Sequence, residues 1–172
     1  DLDRMTVMTV VGTRPEIIKF APVLQELEKR ADFRPCNVCT SQHTDLAAPF
    51  LREFSLTIHH DLHVMRPGQT LSGVCSRVLE QLDGILAQEA PDFVLVQGDT
   101  TSALAGAMAA FHRGVPVGHI EAGLRSGDRL SPFPEEMNRR LIGELATVHF
   151  ASTPRNRAAL LREGVNERDI IV

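Results

Sequence analysis

A chain of 172 residues is long enough to bury one well-formed hydrophobic core and short for two. Its 43% apolar and 23% charged residues are those of an ordinary globular protein, and a net charge of −4 with no basic block argues against a nucleic-acid partner. No apolar run approaches spanning length and the first residues lack a charged-then-apolar leader, so a cytoplasmic protein with no membrane partner is expected.

The elements read in chain order as strands that stop abruptly, each followed by a helix. "TVMTVV" (6–11) leads to a helix over 15–30, and "FRPCNVCTS" (33–41) to a helix over 44–54. An amphipathic helix over 69–89 follows, with Leu71, Val74, Val78, Leu82 and Ile85 at spacings of three and four. "DFVLVQ" (92–97) leads to 100–114, "VPVGHI" (115–120) to 134–146, and "TVHFAS" (147–152) to 154–164. "RDIIV" starts a last strand at the chain end. The 92–97 and 115–120 runs are nearly continuous in apolar residues, not alternating, as expected for parallel strands covered on both faces. The alternation predicts βαβ crossovers and an α/β, doubly wound parallel sheet of the Rossmann-like kind. Pro22 should kink the first helix.

Three cysteines exclude an even disulfide framework. Cys36 and Cys39 lie three apart on a predicted strand, point to opposite faces and cannot share a metal. "HHDLH" (59–63) has the residue types of a metal cluster, but it falls in a predicted loop with no helical pattern to join His59 and His63. No metal site is therefore expected. His119, inside "VPVGHI", reads as a strand histidine with a hydrogen-bonded partner.

Open α/β sheets bind ligands at the carboxyl ends of their strands, so chemistry is sought there. After the first strand comes Gly12-Thr13-Arg14-Pro15-Glu16. Thr13 and Glu16 have capping-box spacing and Pro15 suits a first helical turn, which leaves Arg14 over. A cation at the positive end of a helix calls for an anionic partner, either a phosphate in the cleft or a cluster of acids. Lys19 is either a snorkelling lysine or a second cation for the cleft. After "VLVQ" stands Asp99, well placed to cap the next helix and to stay ionised there. After "VPVGHI" stands Glu121, which has no capping role; Arg125 or Arg129 could pair with it. A proline-rich loop then leads to Glu135 and Glu136, ordinary first-turn acids taken alone. Taken together, Asp99, Glu121 and Glu135 all follow strand ends on one side of the sheet with Arg14 alongside. Clustered carboxylates push their pKa values apart, so acid–base chemistry beside an anion clamp is the expectation.

"GTRPEIIKFAPV", "VQGDTTSALAGAMAAFHRGVPVGHIEAGLRS" and "SPFPEEMNRRLIGELATVHFAST" closely resemble bacterial UDP-N-acetylglucosamine 2-epimerases of the non-hydrolysing type. The resemblance covers nearly the whole chain and only the first half of such an enzyme. It implies that 1–172 is a single Rossmann-like domain carrying the acid–base residues. This would be the N-terminal half of a glycosyltransferase-B arrangement whose second, UDP-binding domain lies outside this sequence. It implies a UDP-sugar substrate, no cofactor, and interconversion of UDP-GlcNAc and UDP-ManNAc. A base would take the proton at sugar C2 while UDP leaves C1, and the resulting 2-acetamidoglucal would be reprotonated on its other face and regain UDP. Asp99, Glu121 and Glu135 match the family's acids, without an assignment of which takes which proton. Arg14 and Lys19 match residues near the diphosphate. Gln42 and His43 match part of a second sugar-nucleotide site, but Asp45 and Gly68 stand where relatives have glutamine and arginine. That departure is compatible with hydrolysing 2-epimerases, which release UDP and free ManNAc. The resemblance also implies a homodimer through this domain, which no sequence feature establishes, and a role in cell-surface polysaccharide biosynthesis without fixing the glycan. Two other readings stand beside it: the acceptor half of a glycosyltransferase, and a catalytically silent binding module. The 172-residue chain alone is expected to bind UDP-GlcNAc weakly and turn it over negligibly, since one wall cannot surround a sugar nucleotide.

Overall fold

The computed structural model describes residues 3–40 and 44–172. Strand β1 (Met5–Val11) lies inside a seven-stranded sheet, flanked by β2 (Phe33–Cys39) and by the middle strand β4 (Phe93–Gln97). Beyond them lie β3 (His60–Asp61) on one side and, on the other, β5 (Val117–Ala122), β6 (Val148–Ala151) and β7 (Ile170–Ile171). The order is β3-β2-β1-β4-β5-β6-β7 and every pairing is parallel. The chain reverses its direction of travel across the sheet between β1 and β4, and a crevice opens at such a switch point. The doubly wound sheet expected from the strand–helix alternation is present. Strand β3 is an addition, two residues inside the segment read as loop.

Helices cover both faces. Helix α1 (Arg14–Lys29) buries Ile17, Phe20, Leu24 and Leu27 against Val7, Val11, Cys39 and Leu95. On the opposite face, α3 (Leu71–Glu89), α4 (Thr101–His112) and α5 (Glu135–Leu145) pack on Met8, Val10, Cys36, Val38, Val94 and Val96. Helices α2 (Thr44–Glu53) and α6 (Pro154–Arg162) complete the layers. β1 shows the period-2 logic: Val7 and Val11 enter one core, Met8 and Val10 the other. Cys36 and Cys39 likewise enter different cores, as the strand reading required, and none of the three cysteines forms a disulfide. The small residues of α4 serve close packing: a Cβ on Gly106 would lie 3.2 Å from the Val10 side chain. Helix α1 runs through Pro22 as one element. No helix among the described residues is long and apolar enough to cross a membrane.

Candidate active site

The first strand end differs from the expected capping box. Thr13 is the N-cap of α1, but its hydroxyl accepts no helix N–H; it donates to Glu16 Oε1 at 3.1 Å. Glu16 Oε2 in turn accepts the Gly12 N–H at 3.0 Å. Only the return half of the box forms, because the Glu16 carboxyl is drawn inward to near-complete burial. Burial pushes its pKa up to about 7, against hydrogen bonds from the Thr100 and Thr13 hydroxyls and the backbone of Gly12 and Thr13. Glu16 thus ties the β1 loop to the start of α4. Arg14, at the first helical position, lies over the Phe50 ring with its guanidinium carbon 4.4 Å from the centroid. Among the described residues no ion pair holds it, so its anionic partner is not the acid cluster.

At the end of β4, Asp99 is not the helix cap. Thr100 takes that place, its hydroxyl accepting the Ala103 N–H at 3.1 Å. The one-residue displacement leaves the Asp99 carboxylate to face the crevice, where Arg139 Nη1 reaches Oδ2 at 3.2 Å. The Asn138 amide donates to the Asp99 carbonyl at 2.9 Å. Burial raises the Asp99 pKa, Arg139 opposes the rise, and the nearby charges of Glu121 and Glu135 reinforce it. The net shift is upward from the usual carboxylate value, and its causes include the charges of both Glu121 and Glu135 across the crevice.

Glu121 occupies a bulge. The β5–β6 register slips between Ile120 and Ala122, and Glu121 has a φ of 68°, in the left-handed region that non-glycine residues avoid. The bulge turns its carboxylate to Lys19 Nζ at 2.6 Å and to the buried Gln97 amide at 3.1 Å, both on Oε2. Arg125, expected as a partner, instead forms a two-pronged pair with Glu163 (2.8 and 3.0 Å). Lys19, half-exposed, therefore pairs its ammonium with Glu121 instead of extending it free into solvent.

The two first-turn acids of α5 divide. Glu136 is fully buried: burial alone would raise its pKa, but Arg139 Nε at 2.7 Å and the N–H groups of Ser126 and Gly127 hold it down at about 2. Glu135 stays half-buried and lines a cavity of about 320 Å³ with Thr100, Thr101 and Asn138. Arg139 bridges Glu136 to Asp99, so the loop after β5 and the acid after β4 share one guanidinium. Gln97, Asn138, Glu136, Glu16 and Arg139 are site-supporting residues that sequence reading passed over. Only the three-residue spacing of Glu136 and Arg139 on a helix face signalled a pair. His119 is buried as expected, its Nε2 2.7 Å from the Gly98 carbonyl and its pKa lowered by burial to about 4. Gln42 and His43 lie outside the described residues. His59 does not join His63: its Nδ1 accepts the Asn37 N–H at 2.8 Å, while His63 sits 3.6 Å from Asp61.

The model of the family described as UDP-N-acetylglucosamine 2-epimerase matches residues 25–172. UDP-N-acetylglucosamine 2-epimerases of Salmonella typhimurium and Escherichia coli K12 are each 49% identical over 168 residues, which is 98% of this chain and 45% of theirs. The crystal structure of the Neisseria meningitidis UDP-GlcNAc 2-epimerase bound to UDP-GlcNAc superposes with a TM-score of 0.95 at 43% identity, covering 98% of this chain and 45% of that one. A lipopolysaccharide outer core galactosyltransferase, WaaB, shares the fold alone, with a TM-score of 0.71 at 14% identity. The chain spans about 45% of the length of the curated relatives it matches. On this sequence match and this arrangement of acids at the sheet's carboxyl edge, the chain belongs to the UDP-N-acetylglucosamine 2-epimerase family.

Proposed function

We propose that this chain supplies the acid–base wall of a UDP-GlcNAc 2-epimerase, with a second, UDP-binding domain closing the crevice. The observation that supports the reading is the grouping of Asp99, Glu121 and Glu135 beside one crevice, where the charges of Glu121 and Glu135 both raise the Asp99 pKa. One carboxylate removes the proton from sugar C2 while the C1–O bond to UDP breaks, and the electron pair forms the C1=C2 bond of a 2-acetamidoglucal. A second acid on the other face returns a proton to C2 as UDP re-adds at C1. Asp99 suits a proton-holding role, since burial, opposed by Arg139 and reinforced by Glu121 and Glu135, shifts its pKa upward. Lys19, held on Glu121, and exposed Arg14 at a helix N-terminus supply positive charge toward the departing diphosphate. The reading includes cytoplasmic action in surface-glycan synthesis and a homodimer through this domain.

The test joins this chain to a C-terminal half, its own or that of the Escherichia coli relative, and follows UDP-GlcNAc. Asp99→Asn, Glu121→Gln and Glu135→Gln should each lower turnover by about 10²–10⁴-fold. Unchanged turnover in all three would remove the reading and favour a glycosyltransferase acceptor half. The hydrolysing reaction remains the second reading, compatible with Asp45 and Gly68 at positions where the family's second sugar-nucleotide site has glutamine and arginine. A mannosamine product that stays nucleotide-linked selects epimerisation, and free ManNAc selects hydrolysis.

A further inference from the structure

On the sheet face away from α1, Cys36 of β2, His60 of β3 and Glu89, the last residue of α3, converge. One ligand atom from each lies within 4.8 Å of the other two. The convergence follows from strand periodicity. Val38 pairs with His60 across the β2–β3 ladder, and Cys36, two residues before Val38, shares its face. Cys36 is buried in the core, whereas His60 and Glu89 lie at its rim with part of their surface in solvent. His60 Nε2 is 2.8 Å from Glu89 Oε1, and Arg34 Nη1 holds the other oxygen, Oε2, at 3.2 Å.

We propose that Cys36 Sγ, His60 Nε2 and Glu89 Oε1 form a binding site for a borderline-soft divalent cation of the Zn²⁺ class, with solvent in the fourth position. The donor set selects the ion: a thiolate disfavours Mg²⁺ and Ca²⁺, while sulfur, imidazole and carboxylate together suit zinc. Tetrahedral bonds of about 2.0–2.3 Å place ligand atoms about 3.3–3.7 Å apart, so side-chain rotations of about 1 Å complete the geometry. The cation replaces the proton shared by His60 and Glu89 and displaces the thiol proton of Cys36 to solvent. Arg34 acts as the outer partner that orients the carboxylate. The site sits at the C-terminal end of a 19-residue helix with no basic residue in its last turn, where the helix dipole favours a cation. Occupancy would pin β3, a two-residue edge strand, to the core and to α3.

The test uses tag-free, reduced protein of this chain titrated with Co²⁺, read by the thiolate-to-cobalt charge-transfer band, and then competed with Zn²⁺. Wild type and Cys75→Ser should show the band and lose it to Zn²⁺. Cys36→Ser should abolish the band. His60→Gln and Glu89→Gln, at half-buried positions that leave the core intact, should weaken binding by about 100-fold or more, since removing outer partners alone costs about 10–100-fold. Zn²⁺ should also slow amide exchange at His60 and Asp61 in wild type and not in His60→Gln. Absence of the band in wild type, its persistence in Cys36→Ser or its loss in Cys75→Ser would overturn the site.

Discussion

Replacing Glu16 by Gln isolates a buried carboxyl whose titration the fold opposes. Its pKa is pushed up to about 7 from an ordinary 4.5. A raised carboxyl contributes stability that is complete below the unfolded pKa and is lost as pH rises through the folded one. Stability therefore falls between about pH 4.5 and 7, by about 3 kcal/mol at about 1.4 kcal/mol per pH unit. His119 has the opposite sense. Its pKa is lowered from 6.5 to about 4, so its contribution is complete above pH 6.5 and is lost as pH falls toward 4, again by about 3 kcal/mol. Between about pH 4.5 and 6.5 the two slopes offset in the wild type. Gln keeps an acceptor for the Gly12 N–H and cannot ionise, so E16Q unmasks the His119 slope. Urea unfolding of both proteins at pH 4, 5, 6, 7 and 8 should show E16Q gaining about 3 kcal/mol on wild type between pH 4 and 8. A constant difference across that range would refute the assignment of Glu16 as a buried, proton-retaining group.

Three further substitutions have definite expected outcomes. Arg139→Gln leaves Glu136 buried without its guanidinium and should cost about 3 kcal/mol or more by chemical denaturation. The same change removes a charge that holds the Asp99 pKa down, so the alkaline limb of the pH profile of the proposed epimerisation, set by the acid that must keep its proton, should move to higher pH. Gly123→Ala places a Cβ 2.2 Å from the Asn156 carbonyl at a φ of 86°, and thermal unfolding should register a loss of at least about 3 kcal/mol. Thr100→Ala removes the α4 cap and a hydrogen bond to Glu16, for a loss of about 1 kcal/mol in the same assay.

The sheet was legible because the runs at β4 and β5 are nearly continuous in apolar residues and short strand-like runs alternate with helical stretches along the chain. β3 was not, since two residues show no periodicity and its pairing to β2 is set by a distant backbone. The three acids were legible as strand-end residues, yet their partners were not. Lys19 and Glu121 are 102 positions apart, and Arg139 reaches Asp99 across 40. A one-residue shift in the cap, from Asp99 to Thr100, turned an expected structural acid into a crevice acid. The bulge at Glu121 depends on the β6 register, which no local pattern records. Arg14 had no visible partner because Phe50 lies on another helix.

The central claim is proton transfer at sugar C2 by Asp99, Glu121 and Glu135. Its most direct test is turnover of UDP-GlcNAc in D₂O by this chain joined to a C-terminal half, with the product read by mass and NMR. The account predicts one solvent deuterium at C2 of nucleotide-linked ManNAc and loss of incorporation in each of the three acid variants. Epimerised product without deuterium at C2, or full incorporation with all three acids replaced, would contradict it.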